Sequence, residues 1–467
     1  PNSTMTEQLK LKLNDSKATR WGALVIVAFT MMAAYYVNDV VAPLKTMLET
    51  DLAWSSTDFG FFTGGYSFLN VFFLMLIWGG LILDRFGIRF TGKLATILMV
   101  GGTALEYYAM TGLAGADATL FGINEIFGYK TGVFVAFAGY SIFGVGAEVA
   151  GITVSKIIAK WFKGKELATA MGVQVALARI GSQAGYAVAI PLARAFGIST
   201  PVLLGLVLLL GGMIAFFIFA VMDKKLDKQM EAAAIAAGTE DEEEKFSFKD
   251  VKNILVNPGF WLIALLCVLF YSCVFPFQKF ASELMIIKYG INENVAGTFA
   301  GLPALGALIL TPVFGGFIDK RGKSASIMLL GSAMLICVHF IYAIPDINYW
   351  LVAIVLMIIL GIAFSLVPSA MWPAVAKIFP VSQLGTAYAL IFFIQNIGLW
   401  GIPTLIGWVL DAYCISGKKP DGTNMYDYTV PMCIFTGIAC LSLIVALLLK
   451  KADKKYGYKL EEPNIQK

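Results

Sequence analysis

Long apolar runs follow one another from Trp21 to the neighbourhood of Lys450, and nearly every one stops at a charged or Gly/Pro-containing turn. A run of about 20 residues, rising about 1.5 Å each, covers a hydrocarbon core roughly 30 Å thick. Twelve such runs are counted, which predicts an all-α membrane protein of twelve transmembrane helices. Span 1 covers about Trp21 to Leu44, span 2 Phe59 to Leu83, span 3 Phe90 to Leu113 and span 7 Pro258 to Met285. Span 6 ends near Met222, and only after it comes a long polar stretch, Asp223 to Asn257. The expected layout is a tail (1–20), a six-helix bundle (21–222), a connector (223–257), a second six-helix bundle (258–450) and a tail (451–467). Residues Pro1 to Thr4, ahead of Met5, read as an expression remnant, and the run Glu240, Asp241, Glu242, Glu243, Glu244 reads as a solvated tether.

The turns carry a repeat. Gly80, Asp84, Arg85, Gly87 and Arg89 after span 2 recur 235 residues later as Gly315, Asp319, Lys320, Gly322 and Lys323 after span 8. Half a chain separates the copies, so six helices plus six related by a pseudo-twofold axis are expected. Gly80 and Gly315 are expected to allow close helix contact, and Gly87 and Gly322 a tight reversal. The acids are expected to latch onto a basic group or a helix N-terminus, making a contact that breaks and reforms as two bundles rock.

Composition agrees with the runs: 58% hydrophobic residues, 14% charged and a mean hydropathy of +0.76 exclude a soluble globular domain. With a cytoplasmic N-terminus, cytoplasmic segments hold 27 of the 35 Lys and Arg, outer loops six and spans two. The positive-inside rule then places both termini in the cytoplasm. Basic residues scattered over seven segments form no single face and argue against nucleic acid as a partner. Five of the six cysteines fall in spans and Cys414 stands alone in an outer loop, so neither a disulfide framework nor a metal site is expected, and no cofactor.

The two charges that demand explanation lie deep. Glu148 is 12 residues from Lys160 on one side of the turn Lys160-Trp161-Phe162-Lys163-Gly164-Lys165-Glu166, and Arg179 is 14 residues from Lys165 on the other. Both therefore sit roughly 18–21 Å from the same membrane edge, one depth on two antiparallel neighbours. Charges are expensive there, about 2.5–3.5 kcal/mol each on the milder insertion scale, so the pair marks a functional centre or a salt bridge between helices. Other polar groups join them: Tyr35, Tyr36, Asn38 and Asp39 in span 1, Tyr271, Ser272, Gln278 and Lys279 around Pro276 in span 7, Trp372 in span 10, Gln395 and Asn396 in span 11. Asp39 and Lys279 each lie 18 residues past an entry tryptophan, Trp21 or Trp261, and are expected to form an outer closure or to touch the substrate. Gln395 holds the depth of Arg179 in the other half. Glu106 is expected near headgroups or a loop in a structural role, and His339, the one histidine, to be scaffold or, less readily, a proton carrier.

These features together resemble the major facilitator superfamily over about Trp21 to Lys450. Five blocks are similar to its domain-containing protein 1 group: Ala159 to Leu167, Ala178-Arg179-Ile180-Gly181-Ser182, Met371-Trp372-Pro373, Leu384-Gly385-Thr386-Ala387-Tyr388 and Gln395-Asn396-Ile397-Gly398-Leu399. The resemblance implies a major facilitator fold and dipeptide uniport across a lysosomal membrane, with the group's buried Glu and Arg at Glu148 and Arg179.

Such a site suits a zwitterion. Glu148 takes an ammonium group and Arg179 a carboxylate through two parallel charge-assisted bonds, while Tyr36, Tyr271, Trp372, Gln395 and Asn396 receive side chains. An extended dipeptide spans roughly 7 Å between its termini, so two fixed charges measure length. Rival readings are a proton-coupled symporter, in which Glu148 or Asp39 takes up a proton, and a non-transporting receptor. Gly322-Lys323-Ser324 mimics the tail of a phosphate loop, but Gly316 is one residue too far away and no strand precedes it, so enzyme activity is not expected. The outer loops lack an Asn-x-Ser/Thr sequon and the segment Met5 to Arg20 lacks an acidic dileucine. A bacterial inner membrane is therefore expected, with a eukaryotic lysosomal membrane as the alternative; the lipid bilayer and a dipeptide suffice as partners, and a monomer suffices as the working unit.

Overall fold

The computed structural model describes residues 12–162, 165–237 and 247–464. Pro1–Thr4, Lys163, Gly164 and the acidic run Glu240–Glu244 lie outside the described residues. The first half contains α1 (Lys17–Val40), α2 (Lys45–Leu52), α3 (Ser56–Phe72), α4 (Met75–Thr111), α5 (Thr131–Trp161), α6 (Leu167–Phe196) and α7 (Thr200–Ala237). After the short α8 (Phe248–Leu255) the second half contains α9 (Pro258–Ser272), α10 (Phe275–Ile287), α11 (Glu293–Ala300), α12 (Leu302–Arg321), α13 (Ser324–Ala343), α14 (Trp350–Ile378), α15 (Val381–Tyr413) and α16 (Thr429–Tyr456). Two small antiparallel hairpins, β1 (Glu125–Ile126) with β2 (Tyr129–Lys130) and β3 (Ile415–Lys418) with β4 (Asn424–Tyr426), decorate one end. Among the described residues, nine helical segments are long and apolar enough to cross a membrane, or ten if the bent pair α3–α4 makes one span.

Several boundaries differ from the apolar pattern, each for a local reason. The second and third runs are redistributed: α3 and α4 meet at a 58° bend where Leu74 takes φ 54°, and α4 carries on through the turn at Gly87. Gly87, at φ 83° and ψ 179°, holds a conformation that a side chain would strain, and it breaks the helical path of α4 where the turn between the second and third runs was expected. α7 does not stop at Met222 but runs to Ala237, because Asp223 and Asp227 find partners on neighbouring helices. Asp223, fully buried, accepts from Arg89 at 2.8 Å, Lys160 at 2.9 Å and the Trp161 indole at 2.9 Å, and Asp227 also accepts from Arg89. The seventh run is broken at Cys273–Val274 into α9 and α10, with Pro276 just beyond.

The two halves meet mainly at the end away from the connector. There α3 lies against α15: a Cβ built on Gly60 would come within 2.4 Å of the Pro403 carbonyl, and Thr57 donates to Asp411. Only glycine permits that approach. Lys45 and Glu283 form a salt bridge across the same seam at 2.7 Å, with side chains 2% and 0% exposed. Ser56 accepts from the same ammonium and Tyr428 donates to the same carboxylate. Arg194 of α6 pairs with Glu293 of α11.

At the connector end the glycines have no such neighbours. Among the described residues a Cβ at Gly80 or Gly315 would meet nothing within 4 Å, so the close contact expected there is not made in this structure. Arg89 binds acids of its own half, and among the described residues Asp84 has no bonded partner, so the expected latch between bundles is not made. In the second copy Asp319 accepts from Asn464, and Lys323, adjacent to Gly322 instead of two residues on, lies in the left-handed region at φ 69°. The terminal segment packs over that turn, with the Lys323 N–H donating to Glu461 O at 3.1 Å. The molecule is thus closed at one end and splayed at the other.

Candidate functional site

Between the halves lies a cavity of about 570 Å³, walled by α1, α3, α5 and α6 on one side and by α9, α10, α14 and α15 on the other. Most of the side chains singled out from the sequence line it: Asp39, Glu148, Arg179, Tyr271, Lys279, Trp372 and Gln395. Glu148 accepts a hydrogen bond from the Tyr66 hydroxyl at 3.1 Å. The Arg179 guanidinium lies 4.9 Å from the ring centroid of Phe364, a residue of the opposite half. Among the described residues Glu148 and Arg179 do not pair with each other, so no salt bridge between α5 and α6 spends their charges. One acid and one base are left facing a shared space.

A second charged pair crosses the cavity. Lys279 Nζ lies 3.5 Å from Asp39 Oδ1 and donates to the Asn38 carbonyl at 2.9 Å and to the Tyr140 hydroxyl at 3.3 Å. Asp39 also accepts from Ser182 and from Asn38 Nδ2, the latter at 3.2 Å. Aromatic rings face it in the second half: Trp372 donates to the Tyr271 hydroxyl at 3.2 Å and lies tilted against Phe392, with ring centroids 5.0 Å apart, while Tyr388 donates to the Trp372 carbonyl at 2.8 Å. A charged first half thus faces a second half that, Lys279 apart, is aromatic and neutral-polar.

Two expected lining residues are elsewhere. Tyr36 turns from the cavity and donates to the Pro201 carbonyl at 2.9 Å, its neighbour Tyr35 taking the cavity face. Asn396 is 1% exposed and bonds back to Phe392 O at 2.8 Å, whereas Gln395 faces inward. Adjacent helical residues point about 100° apart, which decides both cases. Glu106 does not reach headgroups: it is fully buried, and neither of its carboxylate oxygens has a hydrogen-bond partner among the described residues. His339 is also fully buried and away from the lining.

Sequence reasoning missed Tyr66, Tyr140 and Phe364, since aromatics in aromatic-rich runs give no sign of which face they take. It also missed Lys45 and Glu283. A signal for Glu283 existed, because it follows Lys279 by one helical turn and so continues the same polar face.

A bundle of membrane-crossing helices in two halves, closed at one end around a charged internal cavity, defines a solute carrier. The Major Facilitator Superfamily model matches residues 24–403 and 280–462, and the chain belongs to that superfamily of transporters. It is 29% identical over 454 residues to a human protein named lysosomal dipeptide transporter MFSD1, covering 94% of this chain and 88% of that protein. The zebrafish (Danio rerio) protein of the same name is 26% identical over 441 residues, covering 92% and 86%. Among solved structures, a peptide transporter POT in complex with sulfate superposes with a TM-score of 0.67 at 14% identity, covering 94% of this chain and 95% of that one. A D-xylose–proton symporter superposes at 0.66 and 15%, covering 95% and 98%. Likenesses that distant establish the fold alone.

Proposed function

We propose that the chain carries zwitterionic dipeptides across its membrane by alternating access, as a facilitated uniporter, with Glu148 holding the substrate ammonium group and Arg179 its carboxylate. The observation that carries this reading is that these two opposite charges face one cavity without neutralising each other. Each is therefore available to a ligand that brings the complementary charge. A zwitterion adds no net charge, so no driving ion is required, and one end closed with the other splayed is one of the two states that alternating access needs. The relatives' printed name, dipeptide transporter, supports the same substrate class.

We count twelve crossings with both termini cytoplasmic. Gly87 separates the second pass, made of α3 and the first part of α4, from the third, made of the rest of α4, and α6, 30 residues long, owes its low apolarity to the polar side chains it turns to the cavity. A bacterial inner membrane remains the expected location, against the lysosomal membrane named for the relatives, and cell fractionation distinguishes them.

The deciding experiment is uptake of a labelled neutral dipeptide into proteoliposomes, with and without an inward proton gradient, for wild type and Arg179→Ala. Equal uptake in both conditions, abolished by the substitution, is expected. Accumulation only under the gradient replaces uniport by proton symport through Asp39 or Glu148, and absence of flux in folded protein ends the peptide assignment.

A further inference from the structure

The break between α9 and α10 leaves a backbone debt. Pro276 has no N–H to offer, and among the described residues the Cys273 carbonyl accepts no backbone hydrogen bond. A carbonyl left unpaired away from water costs free energy comparable to a lost hydrogen bond. His339 meets the need: its Nε2 lies 2.8 Å from Cys273 O, from α13 behind the break. Because a carbonyl only accepts, Nε2 carries the proton and donates. The ring is fully buried, set edge-on to Phe277 at 4.9 Å and stacked near Phe435 at 5.4 Å, and among the described residues Nδ1 has no hydrogen-bond partner. Among the described residues its one hydrogen bond is with the break.

On the opposite face of the same segment stand Tyr271, Phe275 and Lys279, all lining the cavity. Lys279 is six residues past Cys273, so a small rotation at the break moves its ammonium off Asp39 and Asn38. We infer that His339 is a positioning residue: by capping the Cys273 carbonyl it fixes the angle between α9 and α10 and so holds Lys279 and Tyr271 in register with the first half. This role is independent of any proton carried by the ring. It rests on the reading of the cavity as the dipeptide site.

The test compares wild type with His339→Gln, which keeps an amide donor, and with His339→Leu and His339→Phe, which do not. Initial dipeptide uptake and hydrogen–deuterium exchange over residues 270–280 are measured on the same preparations, with folding checked by size exclusion. The donorless variants are expected to raise KM about fivefold or more with a smaller change in maximal rate, the scale of one lost buried hydrogen bond. They are also expected to speed exchange at the break, and His339→Gln to recover most of both. Donorless variants that match wild type in both readouts, or a His339→Gln variant as impaired as they are, overturn the inference. If wild type itself carries no dipeptide, the cavity reading fails, while the exchange comparison still decides whether His339 holds the break.

Discussion

Glu148 and Arg179 were legible because a charge inside an apolar run is rare and costly, and their shared depth followed from counting residues from one turn. Their surroundings were not legible. A cluster such as Tyr35-Tyr36-Asn38-Asp39 identifies a turn of helix, but which members face inward depends on rotation in steps of about 100°, and that is set by neighbouring helices. Hence Tyr35 faces the cavity while Tyr36 caps the Pro201 carbonyl. The assignment of Glu148 to the ammonium group makes a prediction of its own. Wild type should prefer a free dipeptide over its N-acetylated form by tenfold or more in competition assays, since acetylation removes the charge that a carboxylate pairs with. Glu148→Gln should weaken binding of the free peptide and abolish the preference, because the two losses belong to one interaction and are not additive. A Glu148→Gln variant that still discriminates the two forms would place the ammonium group elsewhere.

At the scale of elements, apolar runs pointed to twelve spans, of which nine or ten described helical segments have the length and apolarity, and they did not show every break. The break at Gly87 was marked by the repeat, whereas the bend before Met75 was hidden because apolar residues continue a run on either side of a bend as readily as within a straight helix. α7 extends to Ala237 through ion pairs whose acids look, in the sequence, like the start of a polar connector. A similar tie fixes the basic turn between α5 and α6. Arg20 at the start of α1 binds Glu166 through two guanidinium nitrogens, at 2.7 and 2.9 Å. That contact lowers the Glu166 carboxyl to about pH 2 from its ordinary 4.5, the Arg20 hydrogen bond being the largest cause. A carboxyl depressed on folding contributes stability that is fully present above its unfolded value and is lost as pH falls through the folded one. Glu166→Gln should therefore lower the melting temperature by the same small amount at pH 5 and pH 8, with the difference closing below about pH 4. A difference that changes between pH 5 and 8 would show that another group titrates with the pair.

For the whole molecule, the repeat of glycines and charges pointed to two halves of six helices and to a contact at its own turns that breaks and reforms, but it says nothing of the contact that joins the halves in this structure. The repeated turns lie at the splayed end, where Gly80 and Gly315 face open space, and the seam is made at the other end by Lys45 and Glu283. Neither residue belongs to a motif; each is one charge near the end of an apolar run, and only the fold brings them together. Because both are buried, removing one leaves the other without a counter-charge in the seam, a loss of roughly 3–5 kcal/mol for buried pairs, whereas exchanging them keeps the pairing. That penalty falls only on the state closed at this end, so Lys45→Met should shift the population toward the state open there. Spin labels on α2 and α10 should then report a longer distance by double electron–electron resonance, and transport should slow because return to the closed state has become uphill. The exchange Lys45→Glu with Glu283→Lys should restore the short distance and part of the rate. If Lys45→Met leaves the distance distribution of wild type unchanged, the seam is held by the packing of α3 on α15 alone, and the buried pair is a passive part of it.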